Sequence, residues 1–374
     1  MRIGWIVPGG FDRRGRKAVI PALLSLTERL ARHHDVTVVV LHQEPEPCRY
    51  PLLGAEVINL GAVPNAWPDI VSFERLRRMM TELEAVGRHL DVLHGFWISE
   101  TGVLAVLAGR LWQVPVVVSV GGGELIWVPE IGYGGGRHWY SRSQAKVALQ
   151  WADVITVGSH YARKPLGEIT PEPRVVPLGV DAKQFYGPVQ RLDGPPWRLI
   201  HVASMNQVKN QGMCLRAMRL VADRLPSVRL DLVGEDWLNG ALHRMVDELG
   251  LADVVHFHGW LESEAMIPLL RRAHLYLQSS WHESQGVAVC EAAAAGVPIV
   301  GTPVGVAADL VPYKASWVVP HDDAGAMADA ILTLLKDRQR RELLGRAGQH
   351  WVQTHDADWT AATFESIYRQ LGSR

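Results

Sequence analysis

Residues 275–302 read LYLQSSWHESQGVAVCEAAAAGVPIVGT, and this stretch decides the fold class. Its short apolar start at 275–280 is typical of a buried strand, and so is the run at 298–302. The alanine-rich segment 286–295 between them has helical character, and Gly296 and Pro298 mark its end. The stretch therefore predicts a strand, a helix and a second strand, which is the unit of a parallel sheet.

The same alternation fills both halves of the chain. Predicted strands lie at 3–8, 35–41, 55–60, 91–96, 115–124 (running into a glycine loop), 152–159, 198–204, 229–235, 254–259, 275–280, 298–302 and 316–319. Predicted helices lie at about 18–32, 72–88, 100–112, 210–224, 239–250, 263–272, 286–295 and 324–353, with a closing helix from 358. This order predicts an α/β protein with parallel sheets covered by helices on both faces.

A proline-rich segment divides the pattern into two parts. Seven prolines fall between 165 and 196, which is typical of a linker. We predict a Rossmann-like N-terminal domain at 1–185, completed by a crossover helix at about 355–374, and a Rossmann-like C-terminal domain at 186–354. Because doubly wound sheets bind ligands at the carboxyl ends of their strands, we expect the ligand in a central cleft between two facing sheets.

Composition narrows the class of protein. The chain has 374 residues, 48% hydrophobic and 21% charged, with a formal net charge of −1, so nothing indicates nucleic acid as a partner. Its three cysteines lie far apart, as in a reducing compartment. The N-terminus lacks a signal-peptide pattern, and no apolar run is long enough to span a bilayer. We predict a cytoplasmic protein, and peripheral association with the inner face of a membrane stays open.

Two glutamates in the opening stretch need an explanation. Glu283 precedes the predicted helix and Glu291 lies in its second turn, within an otherwise apolar run where an unpaired charge is costly. Between them, the free N–H groups of Gly286, Val287 and Ala288 form an anion site at the helix N-terminus. An acid, an amide site and a second acid suit a hexose, a diphosphate and a ribose in line. The alternative is a pair of surface or capping glutamates.

The two acids also resemble a known signature. Two Glu separated by seven residues and followed by GVPIVGT resemble the retaining GT-B glycosyltransferases of the glycosyl transferases group 1 family. VVPLGVD (175–181), HVASMNQVKNQGMCLRA (201–217) and LDLVGE (230–235) are similar to other segments of that family, in the same order. The resemblance implies the GT-B fold and transfer of a hexose from a nucleoside diphosphate sugar to an acceptor hydroxyl, with retention of anomeric configuration.

The resemblance also implies roles for single residues. Lys209 occupies the position of the family's phosphate-binding lysine. Glu283 and His94 are the other predicted catalytic residues. Donor-binding positions are predicted in the loops that follow the strands and in the first two turns of the helix at 286–295: Gly10, Ser204, Asn206, Gly234, Gly259, Ser284, Gln285, Gly286, Val287, Ala288 and Glu291. Arg13, Arg14, Gly123 and Glu124 are predicted on the acceptor side, where glycines allow close approach of a ligand.

The chain departs from the family pattern at three places. Ser204 occupies the position of an arginine that binds the donor phosphates in the family. The cluster from Arg13 to Lys17 either supplies the missing positive charge or is a solvated loop. Phe96 replaces a second histidine of the family pattern. That leaves His94 alone, and a lone histidine at a strand end is as often structural as catalytic. VGVAADL (304–310) replaces a glycine pair followed by Glu, and we expect only local consequences.

We expect neither a metal nor a cofactor, because Lys209 and the helix amides can neutralise a diphosphate. Asp356 and Asp358 form a DxD sequence, but Asp358 is better placed to cap the closing helix. A UDP-sugar is the favoured donor, and the acceptor can be a glycan, a lipid-linked or a small molecule. The alternatives are a sugar-nucleotide epimerase, a phosphorylase-like enzyme or a non-catalytic sugar-binding protein.

Overall fold

The computed structural model describes residues 1–15, 19–61, 73–87, 89–186 and 192–372. The chain forms two compact units, Met1–Leu178 with Ala357–Arg374, and Gly179–Asp356. Arg16 and Lys17 of the predicted basic cluster, and the outermost residues of the helices predicted at 18–32 and 72–88, lie outside the described residues.

The first unit alternates strands and helices as the sequence predicts. Its strands are β1 (Arg2–Val7), β2 (Asp35–Val40), β3 (Cys48–Leu52), β4 (Ala55–Asn59), β5 (Val92–Phe96), β6 (Val116–Val120), β7 (Val154–Val157) and β8 (Arg174–Val175). Its helices before the linker are α1 (Pro21–Ala31), α2 (Phe73–Gly87), α3 (Glu100–Trp112), α4 (Trp139–Trp151) and α5 (His160–Arg163).

The described strands of this unit form one sheet in the order β3-β4-β2-β1-β5-β6-β7-β8. All pairs are parallel except β3 with β4. The sequence did not predict β3, whose CRYPL sequence lacks an apolar run and contains Pro51. Proline is tolerated there because β3 is an edge strand and needs no second hydrogen-bonded neighbour.

Helix α4 is the longest of the elements that the sequence analysis did not predict. Only Ala145 and Ala148 are buried on it, because α4 packs against α3 through small side chains. An amphipathic helix is recognised by a stripe of large apolar residues, and two alanines do not provide that signal.

The second unit has the same alternation. Its strands are β9 (Trp197–Val202), β10 (Val228–Val233), β11 (Val255–Gly259), β12 (Leu275–Gln278), β13 (Ile299–Gly301) and β14 (Ser316–Val318). Its helices are α6 (Ala182–Phe185), α7 (Gln211–Ala222), α8 (Ala241–Glu248), α9 (Ser263–Arg272), α10 (Val287–Ala294), α11 (Gly305–Asp309), α12 (Ala324–Lys336) and α13 (Arg338–Gln353).

The six described strands of this unit are all parallel, in the order β11-β10-β9-β12-β13-β14. Strand order therefore reverses between β9 and β12, as in a doubly wound Rossmann sheet, and ligands bind at such a switch point. Two apolar cores cover the sheet, one containing Leu199 and Leu277 and the other containing Ile200 and Tyr276. Successive residues of β9 and β12 thus pack into cores on opposite faces of the sheet, and this packing fixes the positions of the two strands.

The chain closes with α14 (Ala357–Gly372), which packs against α1 and β5 of the first unit. Thr360 donates a hydrogen bond to the carbonyl of Pro177 at 2.7 Å. The predicted capping role of Asp358 is wrong, because the helix begins at Ala357 and Asp358 forms an ion pair with Arg29 at 2.6 Å. Among the described residues, no helix combines the length and apolar character needed to cross a bilayer.

The structure corrects the catalytic prediction for His94. This side chain is fully buried on β5, and its ring stacks on Phe96 with centroids 3.9 Å apart. Its Nδ1 lies 2.6 Å from the Tyr368 hydroxyl of α14, and its Nε2 lies 2.7 Å from Ser119 Oγ. Burial lowers the pKa of His94 to about 3, so the imidazole is neutral. His94 therefore joins α14 to the sheet, as in the structural alternative.

We expect Tyr368→Phe to destabilise the first unit by about 1–3 kcal/mol, because it leaves a buried ring nitrogen without its partner. Hydrogen exchange read by mass spectrometry should show faster exchange in peptides from β1 and β5, and unchanged exchange in β9 and β12. Tyr313→Phe is the control, since Tyr313 is 58% exposed. Unchanged protection of β5 in the Tyr368 variant would contradict this role of His94.

Candidate active site

The second unit brings together two of the predicted catalytic residues. Lys209 Nζ donates to Glu283 Oε1 at 2.6 Å, and the hydroxyl of Ser280 donates to the same oxygen at 2.8 Å. The two charged side chains are mostly buried, with 23% of Lys209 and 13% of Glu283 exposed. A mostly buried ion pair needs such extra hydrogen bonds to offset the loss of water. Both residues lie in loops at the carboxyl ends of neighbouring strands, Lys209 after β9 and Glu283 after β12.

Backbone contacts hold the two loops against each other. Asn206 caps the short 3₁₀ turn Gln207–Lys209, because its side chain accepts from the Lys209 N–H at 3.2 Å. Ser279 donates its hydroxyl to the Lys209 carbonyl at 2.8 Å, and the N–H of Trp281 donates to the carbonyl of Val208 at 2.8 Å. Asn206, which the sequence predicts to bind donor, therefore positions Lys209 in this structure.

An open amide site adjoins the pair. Gly286 caps α10 with a φ of +85°, a value that glycine adopts without strain. A Cβ placed there would meet Glu283 Cγ at 3.7 Å, so the backbone angle rather than crowding explains this glycine. Among the described residues, no side chain or loop carbonyl accepts from the N–H groups of Val287 and Ala288. These groups carry the positive end of the helix dipole.

Glu291 lies one turn beyond Val287 on the same face of α10. It is partly exposed, and no hydrogen bond or ion pair joins its carboxyl group to any other described residue. Surrounding protein withdraws the carboxyl from water and raises its pKa to about 7. Glu291 is thus a carboxyl group that the folded chain places near a helix N-terminus without a partner.

The segment that departs from the family pattern supports the loop after β12. The N–H of Val306 donates to the carbonyl of Gln285 at 2.7 Å. Gly305 has a φ of +53°, and a Cβ there would lie 2.3 Å from the Gln285 oxygen. Any other residue at this position would push the loop that carries Ser284 and Gln285, both of them buried. The sequence analysis expected local consequences here and did not single out Gly305.

Ser204, Gly234 and Gly259 lie at the carboxyl ends of β9, β10 and β11. Gly234 donates its N–H to the carbonyl of Gly259 at 2.8 Å. A Cβ on Gly234 would lie 2.0 Å from the carbonyl oxygen of Ala203, so only glycine fits against the end of β9. Gln211 donates to the Ser204 carbonyl at 3.0 Å. These positions form the edge next to Lys209, and their donor contacts stay a prediction.

The first unit holds the other predicted site residues. Gly10 has a φ of +90°, and its N–H and that of Phe11 both donate to Gln43 Oε1, at 2.8 and 3.0 Å. Arg13 lies 3.7 Å from Glu44 and over the ring of Tyr50. The N–H of Arg14 donates to the Asp12 carboxylate at 3.0 Å. Gln43 was not predicted, and no sequence signal singles it out.

The glycines of the loop after β6 have a structural reason that the sequence analysis did not foresee. A Cβ on Gly121 would lie 2.8 Å from the Trp97 ring, and one on Gly123 would lie 2.7 Å from the Tyr133 ring. The glycines therefore make room for aromatic side chains of the chain itself, and the acceptor-side role of Gly123 stays a prediction.

Glu124 closes the same loop with its own carboxylate. The N–H groups of Gly122 and Ile98 donate to it at 2.7 and 3.3 Å. Burial raises the pKa of Glu124, and the backbone N–H groups oppose that rise. The residue thus fastens the loop to the end of β5, and its predicted contact with an acceptor stays a prediction.

No group of three His, Cys, Asp or Glu side chains arranged to hold a metal ion occurs in the part of the chain that the structure describes.

Comparison with known proteins agrees with this architecture. Residues 196–337 match the family model "Glycosyl transferases group 1", and residues 18–180 match the "Glycosyl transferase 4-like domain". The chain is 28% identical to an MMP α-(1→4)-mannosyltransferase from Mycolicibacterium hassiacum, over 98% of this chain and 89% of that protein.

Solved structures show the same fold. A sucrose-phosphate synthase from Thermosynechococcus elongatus superimposes with a TM-score of 0.82 at 23% identity, covering 100% of this chain and 99% of that one. Anabaena HepE in complex with UDP gives a TM-score of 0.76 at 16% identity, covering 99% of both chains. With matches along both units, the chain belongs to the group 1 glycosyltransferases and has the GT-B fold.

Proposed function

We propose that the chain is a retaining glycosyltransferase that moves a hexose from a nucleoside diphosphate sugar to an acceptor hydroxyl. One observation carries this proposal: the Lys209–Glu283 pair lies beside open backbone amides at the switch point of the second unit. The segment from β12 to α10 thus supplies anion-binding N–H groups and two carboxyl groups, and the loop after the neighbouring strand β9 supplies a cation.

The donor diphosphate occupies the positive part of this arrangement. The N–H groups at 286–288 bind its oxygens along the helix axis, and Lys209 supplies a full positive charge. As the bond between the anomeric carbon and the phosphate oxygen breaks, negative charge grows on the diphosphate. Fixed donors aimed at that charge stabilise the transition state more than the ground state.

Glu283 and Glu291 then contact the two sugars. Glu283 lies before the helix and accepts from hexose hydroxyls, while Glu291, one turn into the helix, accepts from the ribose diol. In the ligand-free chain Lys209 and Ser280 satisfy Glu283, so the donor exchanges those contacts for its own. The acceptor oxygen attacks from the face that the nucleotide leaves, which retains the configuration, and its proton passes to the released diphosphate.

No metal is required in this proposal, because Lys209 and the amides neutralise the diphosphate. UDP is the favoured nucleotide, in line with the UDP complex of the similarly folded HepE. The acceptor belongs to the glycans, the lipid-linked sugars or small hydroxylated molecules. An epimerase on the same fold would convert one nucleotide sugar into another without any acceptor and without net release of nucleoside diphosphate, so acceptor-dependent release is the distinguishing assay.

We expect Glu291→Ala to abolish donor binding. The parent should gain melting temperature with one member of a panel of UDP-, GDP- and ADP-sugars, because a ligand of the folded state stabilises it. The variant should show no shift at the same concentrations. Glu264→Ala, which removes an exposed acid from α9, is the matched control. A Glu291 variant that binds donor as well as the parent would exclude the proposed donor site.

Glu283→Gln should separate binding from catalysis. Removing the carboxylate frees Lys209 for phosphate, so UDP alone should bind as tightly as to the parent or more tightly. Transfer should fall by about a hundredfold or more, because a transition-state contact is lost. Calorimetry with UDP and a coupled assay of UDP release measure the two effects. If both fall together with the melting temperature, Glu283 is only a structural partner of Lys209.

Donor affinity should depend on pH through Glu291. The free protein binds a proton at Glu291 with a pKa of about 7, whereas the ribose diol requires the ionised carboxylate. Binding therefore releases a proton, and affinity should fall by about tenfold per pH unit below this pKa and level off above it. A nucleotide sugar has no group of its own that titrates in this range. Glu291→Gln should bind more weakly and without this pH dependence, and a sloping profile in that variant would contradict the assignment.

A further inference from the structure

Helix α4 presents an unusual outer face. Its exposed residues Trp139, Arg142, Ser143, Lys146 and Gln150 recur at helical spacing and form one stripe. The opposite face, with Ala145 and Ala148, packs on α3. The stripe is therefore the solvent side of an outer helix, and no described element covers it.

Two tryptophans lie at one end of this stripe. Trp139, the first residue of α4, is 73% exposed, and Trp127 in the preceding loop is 39% exposed. The guanidinium of Arg137 lies 5.3 Å from the centre of the Trp127 ring. We call Trp127, Arg137, Trp139, Arg142 and Lys146 the α4 surface. A tryptophan with almost three quarters of its surface in water gives up much hydrophobic free energy, unless another surface covers it.

The α4 surface is also positively charged. Glu130 is the only acid between residues 125 and 152, while Arg137, Arg142 and Lys146 fall in the same segment. None of the three basic side chains forms an ion pair with a described residue. Arg142 donates only to carbonyl oxygens, at 2.8 Å to Gly136 and 3.3 Å to Arg137, so its charge stays uncompensated. This contrasts with the whole chain, whose net charge is −1.

We propose that the α4 surface binds the anionic face of a lipid bilayer. Tryptophan prefers the boundary between head groups and hydrocarbon, and each lysine or arginine near an anionic leaflet adds attraction. Trp139, Arg142 and Lys146 project from the outer face of a helix, which suits a flat surface better than a single sugar ring. This argument depends on exposure and charge and does not rest on the proposed reaction.

The position of the α4 surface in the unit gives the docking a direction. A helix that follows a strand of a parallel sheet begins at the carboxyl edge of that sheet, so Trp139 lies at the carboxyl edge of β6. This is the edge at which such sheets bind ligands. Docking through Trp127 and Trp139 therefore brings the ligand edge of the first unit to the head groups.

Vesicle co-sedimentation of the full chain tests the proposal. Vesicles of phosphatidylcholine with phosphatidylglycerol should pellet the protein, while pure phosphatidylcholine vesicles should not, and added salt should weaken the binding. The double variant Trp139→Ala/Lys146→Glu removes one interfacial ring and reverses one exposed charge. It should bind the anionic vesicles at least about tenfold more weakly. Both residues belong to the first unit, whereas UDP is proposed to bind in the second, so UDP binding should stay unchanged.

A matched pair of changes in the second unit is the control. Tyr313→Ala/Lys336→Glu alters an exposed ring and an exposed lysine of the same kinds and should leave vesicle binding at the parental level. Three results would overturn the proposal: no pelleting with anionic vesicles, equal loss in both double variants, or binding to a soluble acidic polysaccharide in place of vesicles. If the parent chain does not bind UDP at all, the proposed function is contradicted, but the vesicle-binding result still stands.

Discussion

The pairing of β9 with β12 is the constraint on which the candidate site depends. The chain leaves β9 toward β10 on one side and leaves β12 toward β13 on the other, so the two loops after these strands diverge at the reversal of strand order. Lys209 stands on one loop and Glu283 on the other, and hydrogen bonds from Ser279 and Trp281 hold the loops together. A helix N-terminus then lies beside the pair because α10 must start where β12 ends. The site follows from topology before any ligand is considered.

The two units differ in whether the backbone N–H groups of their glycine-containing loops are paired within the chain. In the first unit the amides of Gly10 and Phe11 are satisfied by Gln43, and those of Ile98 and Gly122 are satisfied by Glu124. In the second unit no described side chain or loop carbonyl takes the amides of Val287 and Ala288. The first N–H groups of a helix have no partner within the helix, so an open pair at a partly exposed helix N-terminus is available to an anion. This difference supports placing the diphosphate in the second unit.

The sequence predicts most of this fold because buried parallel strands and amphipathic helices leave strong patterns. It fails where the pattern is weak: β3 is a proline-containing edge strand, and α4 buries only two alanines. It also misjudges residues whose role depends on a distant partner. His94 lies within a strand, where its sequence motif resembles a catalytic one, yet the hydroxyl of Tyr368 from the last helix lies 2.6 Å from its Nδ1. Likewise Gly123 faces Tyr133, a contact set by tertiary packing that no local spacing reveals.

The two acids of the opening stretch show how one segment can carry two carboxyl groups at acceptable cost. Lys209 and Ser280 offset the burial of Glu283, because their hydrogen bonds replace those that its side chain loses with water. Glu291 has no such partner, and with a pKa of about 7 it holds a proton in a large fraction of molecules near neutral pH. Under the proposed function, the partner of the first acid is displaced and the proton of the second leaves before either carboxyl group binds a sugar. Both steps cost free energy that donor binding must supply, so recognition of the donor would be coupled to assembling the charges that the proposed reaction requires.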